Sequence, residues 1–202
     1  MRVCQYVGCG LFPCSDVRRD CYIVPGIELN PERVSMIMVS EAAPEKAGDY
    51  YYAKGNPLFQ QTTVQAFQEA GANVSSVSHL VERGVYLTTA VKCGKAGYTI
   101  PVEAIRGCSR LLEKELSLFP NAKVLMLMGD VAIKALNLIA QRWGEKRVIP
   151  ASSTYKIRRA EFSFHGLRVF PSYLQAGPSF FIEKAKRRMI AEDIASALKL
   201  VS

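Results

Sequence analysis

The sequence predicts an α/β protein, and three observations carry that reading. Residues 34–39, 85–91 and 124–128 are short, continuous apolar runs, the pattern of strands buried on both faces of a parallel sheet. Stretches with helical spacing separate or follow these runs, at residues 59–70, from Pro101 onward, and at 131–143. With 202 residues, 49% of them hydrophobic, the chain suits one domain with a sizeable core.

Each element has a local reason. Residues 1–35 form a cysteine-rich lead-in without clear periodicity. The run at 34–39 stops abruptly at Ser40-Glu41-Ala42-Ala43-Pro44, and turns at the carboxyl ends of such strands are where α/β sheets bind ligands. A polar aromatic loop follows, with Tyr50, Tyr51 and Tyr52 in a row. Such rings stack on nucleobases for about 1–3 kcal/mol each, or simply pack beneath the loop. Residues 59–70 read as an amphipathic helix closed by Gly71. After the strand at 85–91 come Cys93, a Gly-rich loop and a helix begun by Pro101. Proline suits a first turn, where its missing N–H has no intrahelical partner to lose, and Glu103 favours the positive helix end. Ile105, Leu111 and Leu112 form the inner face of that helix, which also carries Cys108. The third strand, 124–128, passes through Gly129-Asp130, a strand-to-helix turn and cap, into a helix over 131–143. Residues 147–170 read as β-rich, with Arg147–Pro150 extended and a hairpin turning at His165-Gly166. Lys156, Arg158 and Arg159 form a basic knot before that hairpin, either a solvated loop or a phosphate contact. A last helix over 181–200 buries Ile190, Ile194, Ala197 and Leu198 and wets Lys184, Lys186, Arg187 and Arg188.

The formal net charge of +8 suits a polyanionic partner without identifying one. No apolar run reaches the roughly 18 residues of a membrane span. The six cysteines all fall between Cys4 and Cys108. No apolar signal segment precedes Cys4, so an intracellular, reducing context and free thiols are expected rather than disulfides. Buried apolar cysteines are the plain alternative. Cys93 and Cys108 are placed to share one ion or cluster, but a closed soft-metal site needs about four ligands. The remaining ligands must come from Cys4, Cys9, Cys14 and Cys21. Their spacings are not those of C-x2-C zinc fingers, and thiolate-only ligation fits an iron–sulfur cluster.

The run Thr88-Thr89-Ala90-Val91-Lys92-Cys93, followed by Cys108 with Leu111 and Leu112, resembles the iron–sulfur-bearing uracil-DNA glycosylases of the family 4 and 5 type. Five other segments resemble that family in the same order: Val24-Pro25-Gly26, Ile37-Met38-Val39-Ser40-Glu41-Ala42, Gly55-Asn56-Pro57-Leu58-Phe59, VLMLMGDVA over 124–132, and Val169-Phe170-Pro171-Ser172-Tyr173. The resemblance covers about residues 4–200. It implies a three-layer α/β/α sandwich with a short, mostly parallel central sheet. It also implies a single domain over 1–202, whose segment 1–35 is tied to the core by a 4Fe–4S cluster, with zinc as the alternative.

The resemblance implies a site as well. The ligands it points to are Cys9, Cys14, Cys93 and Cys108, with Cys4 or Cys21 as a substitute for one of the first two. Glu41 keeps the family's acid and would orient water or balance positive charge on the sugar, with Ser40 and Ala42 beside it. Phe59 would stack the base, with core packing as the alternative. Thr89 stands where the family reads the base edge with asparagine, and Leu174 and Gln175 stand where it has His-Pro. Gln175 would donate to the leaving base, and Leu174 would touch or wedge the substrate. An amide fixes a donor and an acceptor where a hydroxyl has one rotating group, so Thr89 weakens the case for uracil. The implied activity is hydrolysis of the N-glycosidic bond of a deaminated base in DNA, flipped out at a cost of a few kcal/mol. The protein would act as an intracellular monomer without membrane attachment. The rival is a catalytically degenerate iron–sulfur nucleic-acid-binding protein on the same fold, supported by the departures at Ser40, Ala43-Pro44, Thr89 and the His-Pro positions.

Overall fold

The structure, a computed structural model, describes residues 1–97 and 99–201. Tyr98, in the Gly-rich loop before Pro101, and Ser202 lie outside the described residues. The strands are β1 (Val17–Arg18), β2 (Met36–Ala43), β3 (Val85–Lys95), β4 (Val124–Met128), β5 (Phe162–Phe164) and β6 (Leu167–Ser172). They form one sheet in the order β1-β3-β2-β4-β6-β5. The inner pairs β3–β2, β2–β4 and β4–β6 are parallel, and β1 and β5 close the edges antiparallel.

Period-two alternation divides the strand residues between two cores. Ile37, Val39, Leu125 and Leu127 face α3 (Val102–Leu116) and α4 (Asp130–Arg142). Met36, Met38, Met126 and Phe170 face α1 (Leu58–Glu69), α2 (Val77–Glu82) and α7 (Lys184–Leu198). The result is a three-layer α/β/α sandwich. The short helical turns α5 (Thr154–Ile157) and α6 (Ser179–Ile182) add Ile157 to the first core and Phe180 to the second. Among the described residues no helix is long and apolar enough to cross a membrane.

The connectivity creates one special place. From β2 the chain moves to β3 through α1 and α2 on one face, then returns past β2 to β4 through α3 on the other. Right-handed crossovers require that change of face when the direction reverses. The carboxyl ends of β2 and β4 therefore flank a topological switch point, the position where open α/β sheets bind ligands.

Several boundaries differ from the sequence reading. β2 does not stop at Val39 but runs to Ala43, pairing Ser40 with Thr89 and Ala42 with Val91 before a register shift. Residues 147–150 are not a strand: the N–H and C=O of Ile149 bond the Asn137 side chain at 3.0 and 2.9 Å instead of a neighbouring strand. The last helix is two, α6 and α7, separated at Glu183. The lead-in is not without core, since Val3 and Val7, one helical turn apart, are buried against the α3/α4 face.

Candidate active site at the switch point

A cavity of about 360 Å³ opens at the carboxyl ends of β2, β4 and β6. Glu41, Gly129, Ser172, Tyr173 and Leu174 supply its sheet side, with Asp130 at the start of α4. Ser152, Ser153 and Thr154 and the α6 segment with Phe180 complete the wall.

Glu41 reaches this place because Gly129 has no side chain. A Cβ on Gly129 would stand 2.6 Å from Glu41 Oε1 and 2.9 Å from its Cγ, and the Gly129 φ of +102° is itself a glycine conformation. The Gly129 N–H donates to the Ser172 carbonyl at 3.0 Å, holding the end of β4 to that of β6. Glu41 is mostly buried, at 17% side-chain exposure, and Lys95 Nζ lies 3.6 Å from it. Ser172 donates its hydroxyl to Asp193 at 2.6 Å, and Arg158 closes on the same carboxylate at 2.7 Å. Arg158, read from the sequence as part of a solvated or phosphate-binding knot, is buried in this pair.

Among the other sequence candidates, only Leu174 shares the cavity with Glu41. Ser40, Gln175 and Tyr51 are fully buried beside it and bonded to one another. The Ser40 hydroxyl donates to Gln175 Oε1 at 3.1 Å and meets the Tyr51 hydroxyl; Gln175 Nε2 donates to Tyr51 at 3.2 Å. Phe59 packs on Tyr51 with centroids 5.3 Å apart. Ala42 is buried in the opposite core. Thr89, the register neighbour of Ser40, is buried, and its hydroxyl has no hydrogen-bond partner among the described residues. The three tyrosines of the aromatic loop pack inward, with Tyr52 bonded to the backbone of Leu87. Burial pushes the Tyr51 hydroxyl well above its usual range, so it remains a neutral donor. The sequence reading missed Tyr51 as a partner of Ser40 and Gln175, and it missed Ser152, Ser153 and Thr154 as cavity residues. Only the polar run Ser152-Ser153-Thr154 itself marked the latter.

The family model of the Uracil DNA glycosylase superfamily matches residues 28–190. The chain belongs to the uracil-DNA glycosylase superfamily. A Type-5 uracil-DNA glycosylase of Thermus thermophilus is 42% identical over 53 residues, a match spanning 26% of this chain and 24% of that protein's length. A wild-type UNG crystal structure from Nitratifractor salsuginis aligns at 15% identity over 82% of this chain and 74% of that one, with a TM-score of 0.41.

This superfamily member carries a second concentration of chemistry on the α3 side. The Cys93 thiol is pushed up to about 12, first by burial and then by Cys108, Cys14 and Cys9. Cys108 is raised by burial first, with Cys14 and Cys9 adding to it and the Lys92 N–H opposing. These four thiols are therefore near neighbours. Cys9, Cys14 and Cys108 also line one open cavity. Of the other two cysteines, Cys21 Sγ donates to the Glu45 carbonyl at 3.0 Å, and the exposed Cys4 lines a neighbouring cavity with Cys9. Among the described residues no three ligating side chains stand close enough to hold one ion. A tetrahedral zinc, with Zn–S of about 2.3 Å, needs sulfurs about 3.8 Å apart. Four neighbouring thiols are soft donors of the kind that take a soft metal group once deprotonated.

Proposed function

We propose that the chain is a DNA glycosylase of base-excision repair that hydrolyses the N-glycosidic bond of a deaminated base such as uracil. The observation that carries this reading is Glu41: an acid at the end of β2, seated by Gly129 in the cavity of the switch point. A nucleotide flipped into the cavity would bring its sugar to that carboxylate. As bond cleavage leaves positive charge on the sugar, a fixed anion stabilises it, and the same oxygens can align water for attack. Leu174 lies at the cavity as a substrate contact. Cys9, Cys14, Cys93 and Cys108 would hold a 4Fe–4S cluster, whose contribution when bound is structural: it ties the lead-in to β3 and α3.

One observation favours the second reading, a nucleic-acid-binding protein without cleavage. Gln175, expected to meet the base, and Ser40, expected beside Glu41 at the sugar, are consumed by their bonds to each other and to Tyr51, and Thr89, the other base contact expected, is covered. A single assay separates the two. The purified protein is incubated with labelled single- and double-stranded oligonucleotides carrying uracil, hypoxanthine or xanthine, followed by alkali. Scission by the wild type, lowered at least roughly 100-fold in Glu41→Gln as for loss of a major electrostatic group, is the expected result. Scission unchanged in the variant refutes the role of Glu41. No scission of any substrate, with oligonucleotide binding retained, establishes the second reading.

A further inference from the structure

Large apolar side chains left in water directly follow, in sequence, two wall segments of the Glu41 cavity. Tyr155 is 70% exposed and follows the wall residues Ser152, Ser153 and Thr154. Phe181 is 44% exposed and Ile182 78% exposed, directly after the wall residues Ser179 and Phe180. The fold does not require them: Phe180 fills the inner position of α6, and Phe181 stands outside it, edge-on with centroids 5.7 Å apart. Single exposed rings need no explanation, but a group of them around one cavity marks an interaction site.

The same two rim segments are basic. Lys156 and Lys184 have no ion pair among the described residues. Arg159 and Arg188 share the one carboxylate of Glu192 with Arg158, and Lys186 pairs with Glu183 at 2.5 Å. The rim is thus net positive, while Glu41 and Asp130 make the interior acidic. A polyanionic backbone is attracted to such a rim and repelled from such an interior, whereas a neutral base is not.

We infer that the rim is a track for single-stranded nucleic acid, in which the bases flanking the cavity stack on Tyr155 and on Phe181 beside Ile182. The phosphates run past Lys156 and Lys184. The preference for a single strand follows from geometry: an unpaired strand can turn the faces of its flanking bases to the rings at little cost, whereas in a duplex those faces are covered until a nucleotide has been flipped out against pairing and stacking. This rests on the nucleic-acid reading of the cavity given above and adds the form of the substrate and the residues that grip it.

Binding of a dye-labelled, undamaged oligonucleotide, single-stranded and as a duplex of the same sequence, tests the inference by fluorescence anisotropy without any cleavage. Wild type is expected to bind the single strand more tightly. Tyr155→Ala and Phe181→Ala are each expected to weaken that binding roughly 5- to 100-fold, as for loss of one stacked base, with duplex binding unchanged. Lys156→Ala with Lys184→Ala should weaken both forms alike and flatten the salt dependence. All four side chains are exposed, so unchanged thermal unfolding of the variants accompanies the result. Ring variants that leave single-strand affinity intact, or lower both forms equally, overturn the track while leaving the glycosylase reading standing. Absence of binding to either form at low salt overturns both.

Discussion

Replacing Lys92 by methionine removes one half of a charge pair that has no contact with water. Lys92 and Glu115 both have fully buried side chains. The Lys92 ammonium donates to Glu115, to Thr88 Oγ1 at 2.7 Å and to the Thr89 carbonyl at 2.7 Å. Glu115 Oε1 accepts further bonds from Tyr86 at 2.6 Å and Thr88 at 2.8 Å. Burial first, and Glu115 second, push the Tyr86 hydroxyl well above its usual range, so it remains a donor throughout the neutral range. In Lys92→Met the carboxylate keeps two neutral donors but loses its counter-charge. Breaking such a pair from one side costs about 3–5 kcal/mol. For a domain of about 200 residues that is a fall in Tm of roughly 6–20 °C. The double variant Lys92→Met/Glu115→Leu removes both charges and should recover most of the loss, because a buried pair replaced by apolar groups is often neutral. Urea unfolding of the four proteins, followed by far-UV circular dichroism, closes the cycle. A loss below about 1 kcal/mol in Lys92→Met, or a double variant whose loss equals the sum of the singles, refutes the argument that the two charges stabilise each other inside the protein.

Three other expectations follow from the same structure. Serine at Cys9, Cys14, Cys93 or Cys108 should each abolish stoichiometric iron and the broad absorbance near ~400 nm in anaerobically purified protein, whereas Cys4→Ser and Cys21→Ser should retain both; iron retained in Cys93→Ser and lost in Cys4→Ser would reverse the ligand assignment. Gly129→Ala places a methyl 2.6 Å from Glu41 Oε1 at a φ of +102°, so it should cost about 1–3 kcal/mol in urea unfolding and lower any cleavage activity as Glu41→Gln does; wild-type stability and activity together would show that Glu41 is not seated by this glycine. Tyr51→Phe strips the hydroxyl shared by Ser40 and Gln175 and should destabilise by about 1–3 kcal/mol, and a neutral or stabilising effect in the same unfolding assay would mean that the closed polar group is not held by that hydroxyl.

The parts of this fold written in local patterns were legible. β4 falls at Val124–Met128 as expected, because an unbroken apolar run between Lys123 and Gly129 has no other solution in a buried sheet. The His165-Gly166 turn is visible from its residues, and both adopt positive φ, 48° and 82°. The short α2 was missed, since six residues are too few for a 3.6-residue period to declare itself. The end of β2 was misplaced for a chemical reason: with Ser40, Ala42 and Ala43 in the turn's place there is no glycine to break the strand, and it continues to pair with β3. Glu41 was recognisable as an acid after an apolar run. The closed polar group beside it was not: Ser40 and Gln175 were read as substrate contacts, and their bonds to each other and to Tyr51 form only after the sheet brings distant segments together. Arg158 shows the same limit: in sequence it stands among basic loop residues, and its partner Asp193 lies 35 residues away.

The buried polar pairs also bear on how the site works. Thr88 and Lys92, flanking Thr89 near the end of β3, are fixed from the α3 side by Glu115. The end of β6 is fixed from the α7 side by the chain Ser172–Asp193–Arg158, and the end of β4 is held to β6 by the Gly129 N–H on the Ser172 carbonyl. Each tie uses a charged, hydroxyl or backbone N–H group whose release from its partner would leave an unpaired polar atom in the interior, a cost of about 1–3 kcal/mol or more. Three of the four parallel strands, β3, β4 and β6, thus carry an energetic penalty for moving, from layers on both sides of the sheet. A carboxylate that must meet developing charge acts only if it is already in place when the bond breaks, and these ties hold the frame that places Glu41. The side chains at the rim, Tyr155, Phe181 and Ile182, carry no comparable tie among the described residues. The proposed chemistry thus falls on the tied interior, and the proposed strand contacts fall on the exposed rim.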